Sequence, residues 1–233
     1  MAEAKHHDSR RGFQLERFSF FTDGVFAICI TLLVIDIKVP EAKHTDAELI
    51  AYLSENFLKF LGFIISFCLI GHYWIVHHMI FGYVRKTTKN LLWINLAFLL
   101  PIVFLPFSSG LVGEYVVELN LLVPYAIYVA NMIIIGLVNA WLWIYVSNPK
   151  REIMTHVISP SRIRLGAYRS LIVPFVFLIS LVVSIFFPLI GRFIPITIPI
   201  FLKWGLKHVE RKANEHEKAL AVTHPIKIEA ESH

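Results

Sequence analysis

The chain reads as a succession of long apolar stretches separated by short polar ones. About 20 mainly apolar residues are needed to cross roughly 30 Å of hydrocarbon, and that length is the ruler for the pattern. By this measure spans fall near residues 18–39, 48–80, 90–112, 120–147, 163–187 and 189–205. The second exceeds the ruler: its first turns, Ala47 to Lys59, alternate apolar and polar residues at helical spacing, which predicts a rise through the interface before the span proper. The sixth holds Pro195 and Pro199, each of which removes a backbone donor and bends a helix, and Gly191-Arg192 before it supplies a turn. The expectation is an all-α integral membrane protein with six transmembrane helices per chain. Residues 1–205 form the transmembrane domain and residues 206–233 a polar cytoplasmic tail.

Composition agrees with a bilayer protein and excludes a soluble domain: 56% of the 233 residues are hydrophobic and the mean hydropathy is +0.63. Met1 to Gly12 is polar and charged and leads into no h-region with a small-residue cleavage site, so the first span is expected to be retained. Cys29 and Cys68 both sit inside apolar segments, which supports neither a disulfide framework nor a cysteine metal site. The basic residues set the orientation. Lys5, Arg10, Arg11 and Arg17, then Arg85, Lys86 and Lys89, then Lys150, Arg151, Arg162, Arg164 and Arg169, then the tail from Lys203 onward all fall on one side of a six-span layout. The other side keeps only Lys38, Lys43, Lys59 and Arg192 of the chain's 22 lysines and arginines, so both termini are expected in the cytoplasm. The net charge of +5 is then a topology signal, with no call for a nucleic-acid partner.

Candidate chemistry concentrates in the first span. Arg17 and Asp23 stand at its start and Asp36 near its end, and charges at membrane depth cost about 2.5–3.5 kcal/mol at a helix centre, so they mark function. Arg17 and Asp23 lie about 120° apart around a helix, so partners are expected on neighbouring helices. At about 100° per residue Ile28, Leu32 and Ile35 share one stripe, with Thr31 about 60° to one flank and Asp36 about 80° to the other. Such a stripe is by default packing or lipid contact. Arranged around an axis, the same residues would make apolar rings that gate by dewetting, with Asp36 at the outer mouth to concentrate cations.

On the second span His72, His77 and His78 lie five and six residues apart, which does not stack two imidazoles as a metal site requires. Their expected role is hydrogen bonding: His77, with Trp74 and Asn95, is placed to brace Arg17 or Asp23. No HExxH or GxSxG is present, so no catalytic residues and no enzyme are expected.

Arg17-x-x-x-Phe21-Thr22-Asp23 followed by Gly-Val-Phe-Ala-Ile-x-Ile-Thr-Leu-Leu-Val resembles the signature of the endosomal and lysosomal potassium channel family, in its shorter prokaryotic branch. The family pattern has serine where this chain has Thr22, which keeps the hydroxyl. The likeness extends over roughly residues 14–205 and includes Gly71-His-Tyr-Trp-Ile-Val-His-His78. It implies a potassium-selective channel in which the first helices line the pore in place of a carbonyl filter. Ile28, Leu32 and Ile35 would form the constriction and Thr31 the selectivity layer. It also implies a homotetramer in the plasma membrane of a prokaryote, with potassium as the permeant ion and no cofactor. The competing reading is a cation- or proton-coupled secondary transporter, since intramembrane Asp and Arg also serve proton relays.

Overall fold

The computed structural model describes residues 2–40, 45–116, 118, 120–155 and 158–203. The tail expected over 206–233 lies outside the described residues. The named helices among the described residues are, in chain order, α1 Ala2–Leu32, α2 Asp46–Glu55, α3 Phe57–Gly82, α4 Lys89–Glu114, α5 Val123–Val146, α6 Pro160–Phe186 and α7 Pro188–Phe193. Among the described residues five segments are long and apolar enough to cross a membrane, namely Phe13–Asp36 and the helices α3, α4, α5 and α6.

The boundaries have local causes. Thr45 starts α2 with a reciprocal cap, its hydroxyl accepting from the Glu48 amide and its own amide donating to the Glu48 carboxylate. The long second stretch does not run through as one helix. At Asn56 the side-chain amide and the backbone N–H both donate to Tyr52 O, which closes α2 and lets α3 set off anew. Thr88 caps α4 by accepting from Leu91 N. Pro188 forces Phe187 into an extended conformation and ends α6 there. The stretch expected as a sixth span is broken up: α7 is followed by a 3₁₀ turn over Ile194–Thr197 that contains Pro195, and the backbone is helical again over 198–203.

α4 and α5 are central, with more than half of their spans buried, whereas α1 and α3 bury little over a quarter. Lipid offers no hydrophobic force between helices, so close contact and polar ties hold them. Gly136 permits the closest approach of α5 and α6, since a Cβ there would lie 1.9 Å from Pro174 Cγ. Asn131 ties α5 to α4 by donating to Pro101 O (3.1 Å) and Ser108 Oγ (3.3 Å), and Asn139 donates to Ser170 Oγ of α6 (2.8 Å). Ser66 of α3 bonds Ser109 Oγ and Tyr128 OH at 2.7 and 3.0 Å. The two basic loops are clipped by an antiparallel bridge between Val84 and Met154, with Arg85 N donating to Ile153 O and Thr155 N to Tyr83 O. At the opposite end Arg192 donates to the carbonyls of Val116, Glu118 and Leu121 and so gathers the chain between α4 and α5.

Candidate functional site

α1 has two apolar faces, and only one of them has partners in the protomer. Phe26, Cys29 and Leu33 are 1, 1 and 2% exposed and pack among Leu69, Tyr73, Phe98 and Ile102 of α3 and α4. Ile28, Leu32 and Ile35, on the other side, are 59, 39 and 69% exposed. Both sets are aliphatic or aromatic, so hydropathy alone does not choose between them.

Polar contacts fix the rotation. Thr22 is fully buried; its hydroxyl donates to Phe18 O (3.1 Å) and accepts from Asn95 Nδ2 (2.9 Å). Asn95 Oδ1 lies 2.7 Å from His77 Nε2. Because the amide nitrogen of Asn95 is committed to Thr22, its oxygen is the acceptor, and His77 carries its proton on Nε2. The order of donation is therefore His77 to Asn95 to Thr22 to the backbone of α1. The imidazole is held flat between Phe81 and Phe98, at centroid distances of 4.3 and 5.5 Å. Beside this chain Trp74 Nε1 donates to Asp23 Oδ1 at 2.9 Å. Trp74, His77 and Asn95 thus meet Thr22 and Asp23, and none of these contacts reaches Arg17. Arg17 instead stands over the ring of Phe13 on its own helix, 5.8 Å from the centroid, and is exposed like Phe21. Of the two charges expected to find partners on neighbouring helices, Asp23 has one on α3, while Arg17 lies on the side of α1 away from α3 and α4.

The outer end of α1 departs from the even spacing assumed for the stripe. Leu33–Asp36 is a 3₁₀ turn, in which residues three apart eclipse, so Ile35 stands directly over Leu32. The larger rise per residue lengthens the Ile28 to Ile35 stripe to about 12 Å. The same tightening carries Asp36 about 80° further round than an α-helix would, toward α4. A Cβ on Gly110 would fall 2.3 Å from Asp36 Oδ2, so the carboxylate rests where that glycine leaves room. Asp36 therefore does not flank the stripe as expected; it lines a cavity shared with Lys59, Ser66, Glu114 and Arg192. Gly110 escaped the sequence reading, and its only signal was a small residue near the outer end of an apolar span. Thr31 is exposed, and its hydroxyl donates to Ile28 O at 2.8 Å, which leaves the oxygen lone pairs outward. Among the described residues no cluster of His, Cys, Asp or Glu could hold a metal ion.

Among the described residues, five long apolar helices around a buried polar tie, with one apolar face of α1 uncovered, define a polytopic α-helical membrane protein. The family described as endosomal/lysosomal potassium channel TMEM175 matches residues 17–106, from Arg17 to the second proline of α4. A potassium channel of Chamaesiphon minutus is 35% identical over 136 residues, which covers 58% of this chain and 67% of the relative. The human endosomal/lysosomal proton channel TMEM175 is 41% identical over 81 residues, 32% of this chain and 16% of that much longer one. Among solved structures, a lysosomal potassium-selective channel TMEM175 homolog from Chamaesiphon minutus superposes with a TM-score of 0.69 at 26% identity, covering 83% of this chain and 98% of that one. The chain belongs to the TMEM175 family. It is a family of ion channels, not of enzymes.

Proposed function

We propose that this protein is a potassium channel whose pore is built by α1 from four copies of the chain in the plasma membrane, with both termini in the cytoplasm, the segment from 189 to 205 completing a sixth crossing, and residues 206–233 forming a cytoplasmic tail. The observation that carries the proposal is the uncovered stripe Ile28, Leu32 and Ile35 on a helix whose other face is buried and tied to α3 and α4. The potassium channel relatives supply the ion. Around a four-fold axis these side chains make rings that give an ion nothing in place of its hydration shell, so passage favours the ion that sheds water at lower cost, potassium over sodium. Thr31 adds to this. Its proton is engaged by Ile28 O, so four Thr31 oxygens present acceptors only, the arrangement a cation needs. Asp36, set back beside Gly110, acts through its field on cations at the outer mouth. Arg17 and Phe21, exposed within about 20° of Ile28 around α1, are turned by the same rotation toward the axis at the inner end of the helix. Proton permeation is the second reading, favoured by the likeness to the human endosomal/lysosomal proton channel.

The test is potassium, sodium and proton flux from purified protein in liposomes, alongside Ile28→Asn. The wild type is expected to pass potassium, and the variant to pass more of every cation because an amide wets the ring. No cation flux from either form would remove the channel reading. Saturable, coupled exchange without unitary currents would move it to a transporter.

A further inference from the structure

α5 and α6 are pinned together at the end that carries the basic loops. A Cβ on Gly166 would lie 2.3 Å from the indole of Trp143, whose Nε1 donates to Ile163 O at 2.7 Å. Beside that contact the two helices and α3 leave a cavity of about 540 Å³. Sites for small organic ligands have volumes of about 300–1,000 Å³, so the space is large enough for a head group and the start of a chain.

We propose that this cavity binds an anionic phospholipid, with the lipid phosphate held between Arg162 and Arg169 and an acyl chain along the apolar wall. Both arginines line it, from one side of α6. They are seven residues apart, about 10 Å along the helix. Side chains on a helix lean toward its N-terminus, which for α6 is the loop end, and arginine reaches further in that direction to bring its charge out of hydrocarbon. Both arginines lean the same way, so Arg169 carries its guanidinium from within the cavity toward the loop end and Arg162 holds its own at the rim, where each can donate to a lipid phosphate. Permanent positive charge makes the ligand an anion. The rest of the lining says which kind: Val76 and Ile80 of α3, Leu165 of α6 and Leu202 give a greasy wall that a free phosphate ion would not use. Trp143 and Tyr83 border the cavity at the level of the helix ends, where amphipathic rings mark the head-group region.

Native mass spectrometry of the purified full-length protein with phosphatidylglycerol and phosphatidylcholine of matched chains tests the assignment. Phosphatidylglycerol is expected to stay bound where phosphatidylcholine leaves, and Arg162→Gln and Arg169→Gln each to weaken its retention about fivefold. Arg164→Gln, on an exposed position of the same helix, is expected to bind as wild type does. If Arg169→Gln fails to fold, Arg162→Gln at the mouth carries the comparison, with Arg162→Lys expected to restore part of the binding. Equal retention of both lipids, or undiminished binding by the glutamine variants, would overturn the proposal. Thermal protection by inorganic phosphate alone, equal to that given by phosphatidylglycerol, would make this a free-anion site and remove the lipid.

Discussion

Replacing Asn95 by leucine tests how α1 is held in its orientation. The two side chains have similar size, so the change opens no large void and isolates the polar terms. Two contacts are lost, the 2.7 Å bond from His77 Nε2 and the 2.9 Å bond to Thr22 Oγ1. Thr22 still donates to Phe18 O, so its loss is one accepted hydrogen bond, about 0.6 kcal/mol by the average for polar ties within membranes. His77 fares worse. Its N–H, 2% exposed and walled by Phe81 and Phe98, is left with no acceptor, at a cost of about 1–3 kcal/mol. Together Asn95→Leu should destabilise the protein by roughly 1.6–3.6 kcal/mol, a factor of about 15–450 in the unfolding equilibrium. Adding His77→Phe removes the orphaned donor and places a third ring between Phe81 and Phe98, so the double variant should recover to within about 1 kcal/mol of wild type. Graded SDS titration in mixed micelles, followed by tryptophan fluorescence, measures both. A single variant as stable as wild type, or a double variant worse than the single, would refute the assignment of donors and acceptors along this chain.

Thr31→Ala should lower the potassium over sodium permeability ratio in bilayers while Thr31→Ser, which keeps an acceptor oxygen, preserves it; an unchanged ratio in the alanine variant would remove the hydroxyl from selectivity. Gly110→Ala puts a methyl group on the Asp36 carboxylate and should cost about 1–3 kcal/mol in thermal unfolding, with Asp36→Ala in the same chain recovering most of the loss. Gly136→Ala must part α5 from the Pro174 ring and should be destabilising by a similar amount, whereas Gly62→Ala, whose Cβ meets nothing, should be near neutral; equal stabilities would show that the α5 and α6 crossing is not tight.

Span positions were legible because length and hydropathy in a bilayer leave few alternatives: α4, α5 and α6 fall within three residues of the stretches read from the chain, while the first span begins five residues earlier, at Phe13, and the second only at Phe57. The breaks were less so. Asn56 stops a helix through a side-chain bond to Tyr52 O that competes with the ladder, and nothing in the apolar run around it foretells which polar residue will do this. The 3₁₀ turn at Leu33–Asp36 was invisible for a different reason: its sequence, Leu-Val-Ile-Asp, suits either helix, and the room for Asp36 is provided by a glycine on α4 more than seventy residues away.

The same distinction bears on the site. Phe26, Cys29 and Leu33 are as apolar as Ile28, Leu32 and Ile35, so a hydropathy pattern permits α1 to turn either face to its own protomer. What breaks the tie is polar. A buried hydroxyl at Thr22 and a carboxylate at Asp23 need partners in a medium with no water, and Asn95 and Trp74 are where those partners stand. Satisfying them commits one face of the helix to α3 and α4 and leaves the other uncovered. On this argument Thr22 and Asp23, the half of the signature that faces the protomer, work as a rotational lock that decides which side chains of α1 are left uncovered. Changes to Thr22 or Asp23 should therefore alter the proposed pore through the azimuth of Ile28, Leu32 and Ile35, and a variant that loses the Trp74 contact yet retains unaltered flux would separate the lock from the channel.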